Sequence, residues 1–362
     1  MIKRILYTLL IMFPVVASAQ INTDRVMAIG RNALYFEDYV LSIQYFNQVI
    51  NAKPYLSDPY FYRGLAKINL DDFQGAESDC SEAIERNPFV VSAYQVRGLA
   101  RIQQNNFAGA IEDYTKALEF DPENIGVWHN MALCRIRQED YKGAKNDLDK
   151  LIAISPRYTK AYLMRGEVDL KQKDTLAAEK DFGKAIEIDR YDADTWASRA
   201  ILRLQQQRYK DAEADFDHAI RLSTRNSGVY INRALARYHQ NNLRGAMSDY
   251  DIALDIDPNN FIGHYNRGLL RAQVGDDNRA IQDFNFVIEM EPDNMMAIFN
   301  RGLLLDQTGD YKGAIKDYST VINEYPNFLL GYQYRAQARR KIGDVKGADA
   351  DEFKVLKAQQ IG

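Results

Sequence analysis

The sequence predicts an all-α solenoid of ten stacked 34-residue helix-turn-helix units, and three observations carry the prediction. Pro54, Pro88, Pro122, Pro156, Pro258, Pro292 and Pro326 fall on one grid with a spacing of 34, and the two unfilled grid points, Arg190 and Thr224, sit in equivalent turn contexts. Small residues form two further columns on the same grid. One runs from Ser42 and Ala76 through Ala110, Ala144 and Ala212 to Ala348, and the other from Gly30, Gly64 and Gly98 to Gly302 and Ala336. Large apolar residues recur between these columns on two stripes with helical spacing.

Repeats starting at residues 23, 57, 91, 125, 159, 193, 227, 261, 295 and 329 account for residues 23–362, after a short segment at 20–22. Position 4 of the repeat is mostly aromatic (Tyr60, Tyr94, Trp128, Tyr162, Trp196, Tyr230, Tyr332), and position 24 is large (Phe46, Tyr114, Phe182, Phe216, Phe284, Tyr318). These are knobs, and the small columns at positions 8 and 20 are the holes that let two helices approach. Asp, Asn and Gly gather between the helices, as in Asn105-Asn106 and Gly309-Asp310, where one helix must stop and the next start. The grid proline then ends the second helix. No single repeat buries its own apolar face, so stacking supplies the core. In the last repeat Glu352 takes the knob position among Asp349, Asp351, Lys354 and Lys357, which reads as a polar cap.

This pattern resembles the tetratricopeptide repeat family across all ten units, and more specifically its exported bacterial members. The resemblance implies a right-handed superhelical solenoid that binds protein or peptide partners through a concave groove lined by positions 2, 5, 6, 9, 12 and 13. Two departures stand out. Position 7 is Arg in eight repeats, from Arg63 and Arg97 to Arg335, and position 11 is basic in seven, from Lys67 and Arg101 to Arg339. Position 23 is Asp in nine, from Asp79 and Asp113 to Asp351. A basic stripe for phosphate or an anionic polymer is one reading. Because each Arg is matched by an Asp, an internal ion-pair ladder is the preferred one, with Arg199 expected on Asp215 or an Asp of an adjoining repeat, and Arg233 on Asp249 or its neighbour.

Residues 1–19 read as a secretory signal: Lys3 and Arg4, an apolar run from Ile5 to Val16, then Ala17-Ser18-Ala19 before the expected cut. The mature chain is therefore expected in a bacterial periplasm with no membrane span, so that membrane association would come through a partner. Without Lys3 and Arg4 it carries 44 basic against 50 acidic residues, a poor balance for a nucleic-acid binder. Cys80 and Cys134 fall in non-adjacent repeats and are expected as free thiols.

Nothing in the pattern points to catalysis, a cofactor or a metal. His129, His218, His239 and His264 take four different repeat positions, and the carboxylates recur by period as ladder and surface groups do. Asp174-Thr175-Leu176 resembles an acceptor for bacterial envelope O-glycosylation. The expected function is a non-enzymatic scaffold in the cell envelope that holds an extended peptide segment of a partner. The alternatives are an architectural subunit of an envelope or secretion assembly, and a docking factor for a polysaccharide-export or glycan machine. The candidate peptide site is Asn232, Asn266 and Asn300, which share position 6 in three consecutive repeats. A side-chain amide offers both donor and acceptor, so it can pair with a peptide unit whatever its side chain. Tyr265 and Phe299 at position 5, with Leu235, Leu269 and Leu303 at position 9, supply an apolar floor.

Overall fold

The computed structural model describes residues 22–223 and 225–361; the segment read as a signal lies outside the described residues. These contain twenty helices and no strand, two helices to each repeat. They divide into two compact units, one ending at Lys173 and the other beginning at Asp174. The first unit holds α1 (Thr23–Tyr35), α2 (Tyr39–Ala52), α3 (Asp58–Ile68), α4 (Phe73–Arg86), α5 (Val91–Gln103), α6 (Phe107–Phe120), α7 (Ile125–Arg137), α8 (Tyr141–Ile154) and α9 (Thr159–Lys171). The second holds α10 (Thr175–Ile188), α11 (Ala193–Gln205), α12 (Tyr209–Leu222), α13 (Ser227–His239), α14 (Leu243–Ile256), α15 (Phe261–Gln273), α16 (Asp277–Met290), α17 (Met295–Thr308), α18 (Tyr311–Glu324), α19 (Leu329–Lys341) and α20 (Val345–Ile361). Within each unit every helix packs on the next, and first helices of successive repeats also touch, as α3 does α5 and α15 does α17.

The helix pairs form as the columns require. A Cβ added to Gly98 would sit 2.7 Å from the Tyr114 ring, and one added to Gly302 would sit 2.9 Å from the Tyr318 ring, so each glycine is the hole for its own knob. Ala110, Ala144 and Ala212 are fully buried where the pairs cross. The turn inside each pair carries a feature that the sequence reading did not single out. Position 15 has positive φ in every repeat: Gly in the last three, but Glu37, Asp71, Asn105, Glu139, Lys173, Gln207 and Asn241 before them. The next residue caps the second helix, as Asn106 does by accepting from the Gly109 N–H at 3.1 Å. Arg208 and Asp276 are exceptions and make no such bond.

Position 4 does more than fill space. Trp128 Nε1 donates to the Pro122 carbonyl at 2.8 Å, Trp196 Nε1 to that of Arg190 at 3.0 Å, and the Tyr162 hydroxyl to that of Pro156 at 3.2 Å. Each thereby ties its helix to the turn that precedes it. Cys80 and Cys134 are buried free thiols, as expected. The final repeat departs from a purely polar cap. Asp351 is buried under Arg335 and Arg339, while Phe353 and Leu356 are exposed. Asp349 and Glu352 pair with Arg340 at the surface, at 2.8 Å and 2.6 Å.

Candidate functional site

Two surfaces follow from the sequence, the Arg columns and the Asn row. The Arg columns are closed off by their partners. Arg199 grips Asp215 through Nε (2.8 Å) and a terminal nitrogen (2.9 Å), and Arg233 grips Asp249 at 3.0 Å and 2.6 Å, as the ladder reading expected. The same two-point fork joins Arg63 to Asp79, Arg267 to Asp283, Arg301 to Asp317 and Arg335 to Asp351. The position-11 cation adds a second hand to the same carboxylate, as with Arg203 on Asp215 (2.8 Å) and Arg237 on Asp249 (2.9 Å). Burial works against the charge on Arg97, Arg233 and Arg267, yet hydrogen bonding and charge attraction, chiefly from Asp113, Asp249 and Asp283, together outweigh it and raise each guanidinium above its ordinary value. These cations are not offered to an anionic polymer.

The ladder also reaches across repeats. The remaining terminal nitrogen of the position-7 Arg donates to position 25 of the preceding repeat, as Arg97 does to Ser81 (3.0 Å), Arg233 to Asp217 (2.7 Å) and Arg335 to Ser319 (3.0 Å). The position-11 Arg meets position 21 there, in Arg101–Glu77 (2.8 Å), Arg203–Glu179 (3.0 Å) and Arg237–Glu213 (2.7 Å). One such pair is inverted. Lys145 stands where those glutamates stand, and it meets Asp169 in the place of the arginine, at 2.5 Å.

The Asn row lies in the second unit, on α13, α15 and α17. All three amides are half-buried. Asn300 donates through Nδ2 to the Tyr265 hydroxyl at 3.1 Å, which places position 6 of one first helix against position 5 of the one before it. Burial raises the Tyr265 phenol above its ordinary value, against the opposing pull of Asn300. The Asn232 and Asn266 side chains make no hydrogen bond among the described residues. The apolar floor is uneven. Leu269 is exposed, Leu235 and Leu303 are half-buried, and Tyr265 leans on Phe284. Phe299 is buried against Tyr318, Phe328 and Tyr334, so it is mainly core.

Among the described residues no three His, Cys, Asp or Glu side chains converge as a metal site would need, and no helix is long and apolar enough to cross a membrane. Thr175 and Leu176 are exposed at the start of α10, and Asp174 caps that helix by accepting from the Ala177 N–H at 3.1 Å.

Paired helices with their charged groups turned on one another, and a face of amides and apolar side chains left over, define a helical-repeat scaffold that works by binding protein or peptide partners. The chain belongs to the tetratricopeptide repeat family. A family model described as TPR repeat matches residues 98–134, and models described as tetratricopeptide repeat match 125–158, 159–192, 198–261 and 265–327. Comparison with curated proteins gives no match. Among solved structures, a tetratricopeptide repeat protein from Parabacteroides merdae is 21% identical over 69% of this chain and 98% of its own, with a TM-score of 0.53. The C-terminal part of a TPR repeat-containing protein from Cytophaga hutchinsonii is 17% identical over 66% and 97%, with a TM-score of 0.54. PilF of Pseudomonas aeruginosa is 19% identical over 60% and 97%, with a TM-score of 0.50. These likenesses describe the fold.

Proposed function

We propose that the chain is an exported scaffold of the bacterial cell envelope that holds an extended segment of a partner protein against α13, α15 and α17. The observation that carries the reading is the Asn300–Tyr265 contact, because it sets side chains of successive first helices on one continuous face beside two uncommitted amides. An extended backbone presents one donor and one acceptor per residue. Asn232 and Asn266 offer the matching pair, while Asn300 keeps its carbonyl oxygen to accept a peptide N–H. Leu269 and the part-exposed Leu235 and Leu303 give the segment's side chains an apolar surface. Export rests on the first nineteen residues.

The test is the triple change of Asn232, Asn266 and Asn300 to Ala, assayed by calorimetry against a partner isolated by crosslinking in envelope extract. Binding should weaken by about 1.5–3 kcal/mol as several hydrogen bonds are lost, while melting stays close to wild type. Unchanged binding by the folded triple variant refutes the site. N-terminal sequencing of the protein from a periplasmic fraction should begin at Gln20, and recovery of the intact N-terminus from the cytoplasm refutes export.

A further inference from the structure

The Asn row leaves one cavity of the second unit unused. Met295 and Met296 at the start of α17, Phe299 one turn on, Tyr325 after α18 and Phe328 before α19 enclose about 330 Å³ behind largely apolar walls, with Asp293 on the rim. The cavity opens to solvent through side chains that water disfavours, since Met296 is 60% and Tyr325 56% exposed. Flexible methionine walls adapt to the shape of what enters, and the volume suits a large side chain.

Its electrostatics are one-sided. Segments 289–299 and 321–330, which build it, carry Glu289, Glu291, Asp293 and Glu324 and contain no Lys, Arg or His. The arginines that follow each segment are spent inside the ladder, Arg301 on Asp317 and Arg335 on Asp351. Carbon walls alone would accept any apolar group. Asp293 in the lining, on segments that hold other carboxylates and no cation, favours one that arrives with positive charge, and the exposed face of Tyr325 suits an ammonium or guanidinium.

We propose that this cavity binds a large apolar side chain of a partner segment whose adjoining residues are Lys or Arg. The proposal rests on the reading that the chain holds an extended partner segment, and it adds the chemistry of that segment. Fluorescence anisotropy of the full-length protein with a labelled Gly-Ser-Arg-Trp-Arg-Ser-Gly peptide tests it. The peptide should bind, and exchanging its Trp for Ala or both Arg for Glu should weaken binding at least about tenfold, as loss of an interface anchor does. Met296→Lys, at an exposed position, should do the same while melting like wild type, and Asp293→Ser should weaken binding several-fold.

Absence of binding by the wild type overturns the proposal, and so does binding indifferent to the peptide's charge, which marks a neutral ligand. A dimer that Met296→Lys dissociates would assign the cavity to a second copy and overturn it too. Loss in the triple Asn variant without loss in Met296→Lys also overturns it, yet leaves the Asn-row reading standing. The opposite pattern supports the cavity and counts against the Asn row.

Discussion

In the repeat at 91–124, Asp113 is buried under two guanidiniums: the Arg97 fork at 3.0 Å and 2.6 Å, and Arg101 at 3.0 Å. In the repeat at 125–158, Met131 stands where Arg97 stands, and among the described residues Asp147 keeps only Arg135, at 2.7 Å. Arg135 is itself shared with Asp140, also at 2.7 Å. Both aspartates are buried, so the cost of desolvation is similar and the supply of cations differs. Burial pushes the Asp147 carboxyl up to about 6, against the pull of Arg135. In this scaffold one shared cation leaves a buried carboxylate easier to protonate, so that near pH 6 the proton becomes a competing partner.

The largest effect expected on this pair is from Asp113→Ala, which strands two half-buried guanidiniums and should cost about 3–5 kcal/mol. Asp147→Ala should cost clearly less, and equal losses of hydrogen-exchange protection in α5–α6 and α7–α8 would refute the contrast. Ala110→Leu and Ala144→Leu act as controls on packing. Both crossings are fully buried, so each change should cost roughly 1–3 kcal/mol, with no systematic difference between the repeats.

The pH dependence is smaller and has a fixed sign. The folded-state value of Asp147 lies above the value of about 3.9 in an unfolded chain, so the folded state holds its proton more tightly. The resulting penalty is absent below about pH 4, grows as pH rises toward 6 and is complete above it. Acidifying from pH 7 to 5 should therefore stabilise α7 and α8 by roughly 1 kcal/mol. Met131→Arg should abolish that gain by restoring a fork, with Thr115 placed to accept its free nitrogen; a persistent gain sinks the explanation. The smallest effect concerns the turns. Glu139 sits at φ 60° and Asn105 at φ 58°, and Asn tolerates that region better. Glu139→Gly should stabilise by about 0.5–1 kcal/mol and Asn105→Gly by less, read from melting curves.

The helix pairs, their crossings and the ladder were legible because each depends on one residue type recurring at one phase. Gly98 under Tyr114 and Arg199 on Asp215 are repeat-internal contacts, so a single period determines them. Contacts between repeats were harder to read. Ser81, Asp217 and Asn285 share position 25 and one role but no common side chain, so no column announced them. The position-15 residues were hidden for a similar reason, because only three of ten are glycine. At the site, the shared position of the Asn row was visible. The burial of Phe299 and the Asn300–Tyr265 bond depend on how neighbouring first helices lie together. The cavity of Met296 and Tyr325 joins groove positions 2 and 5 of α17 to the turn between α18 and α19, a meeting of two repeats that no single column displays.

The inverted pair Lys145–Asp169 has a consequence for how the chain finds its own register. Copies so alike in their columns are nearly interchangeable, and a helix pair docked one repeat out of place would keep its knobs, holes and Arg–Asp forks, because these lie within one repeat. Misassembly of that kind is a characteristic failure of repeat proteins. At this junction a neighbour displaced by one repeat would set Lys145 against Arg203, or leave Asp169 against Ile111 with no cation to meet it. Like charges meeting at a half-buried contact are repelled, whereas the native pairing attracts. The exception in the ladder thus acts as an address, marking one junction of the first unit as unlike the rest and fixing the count of repeats on either side of it.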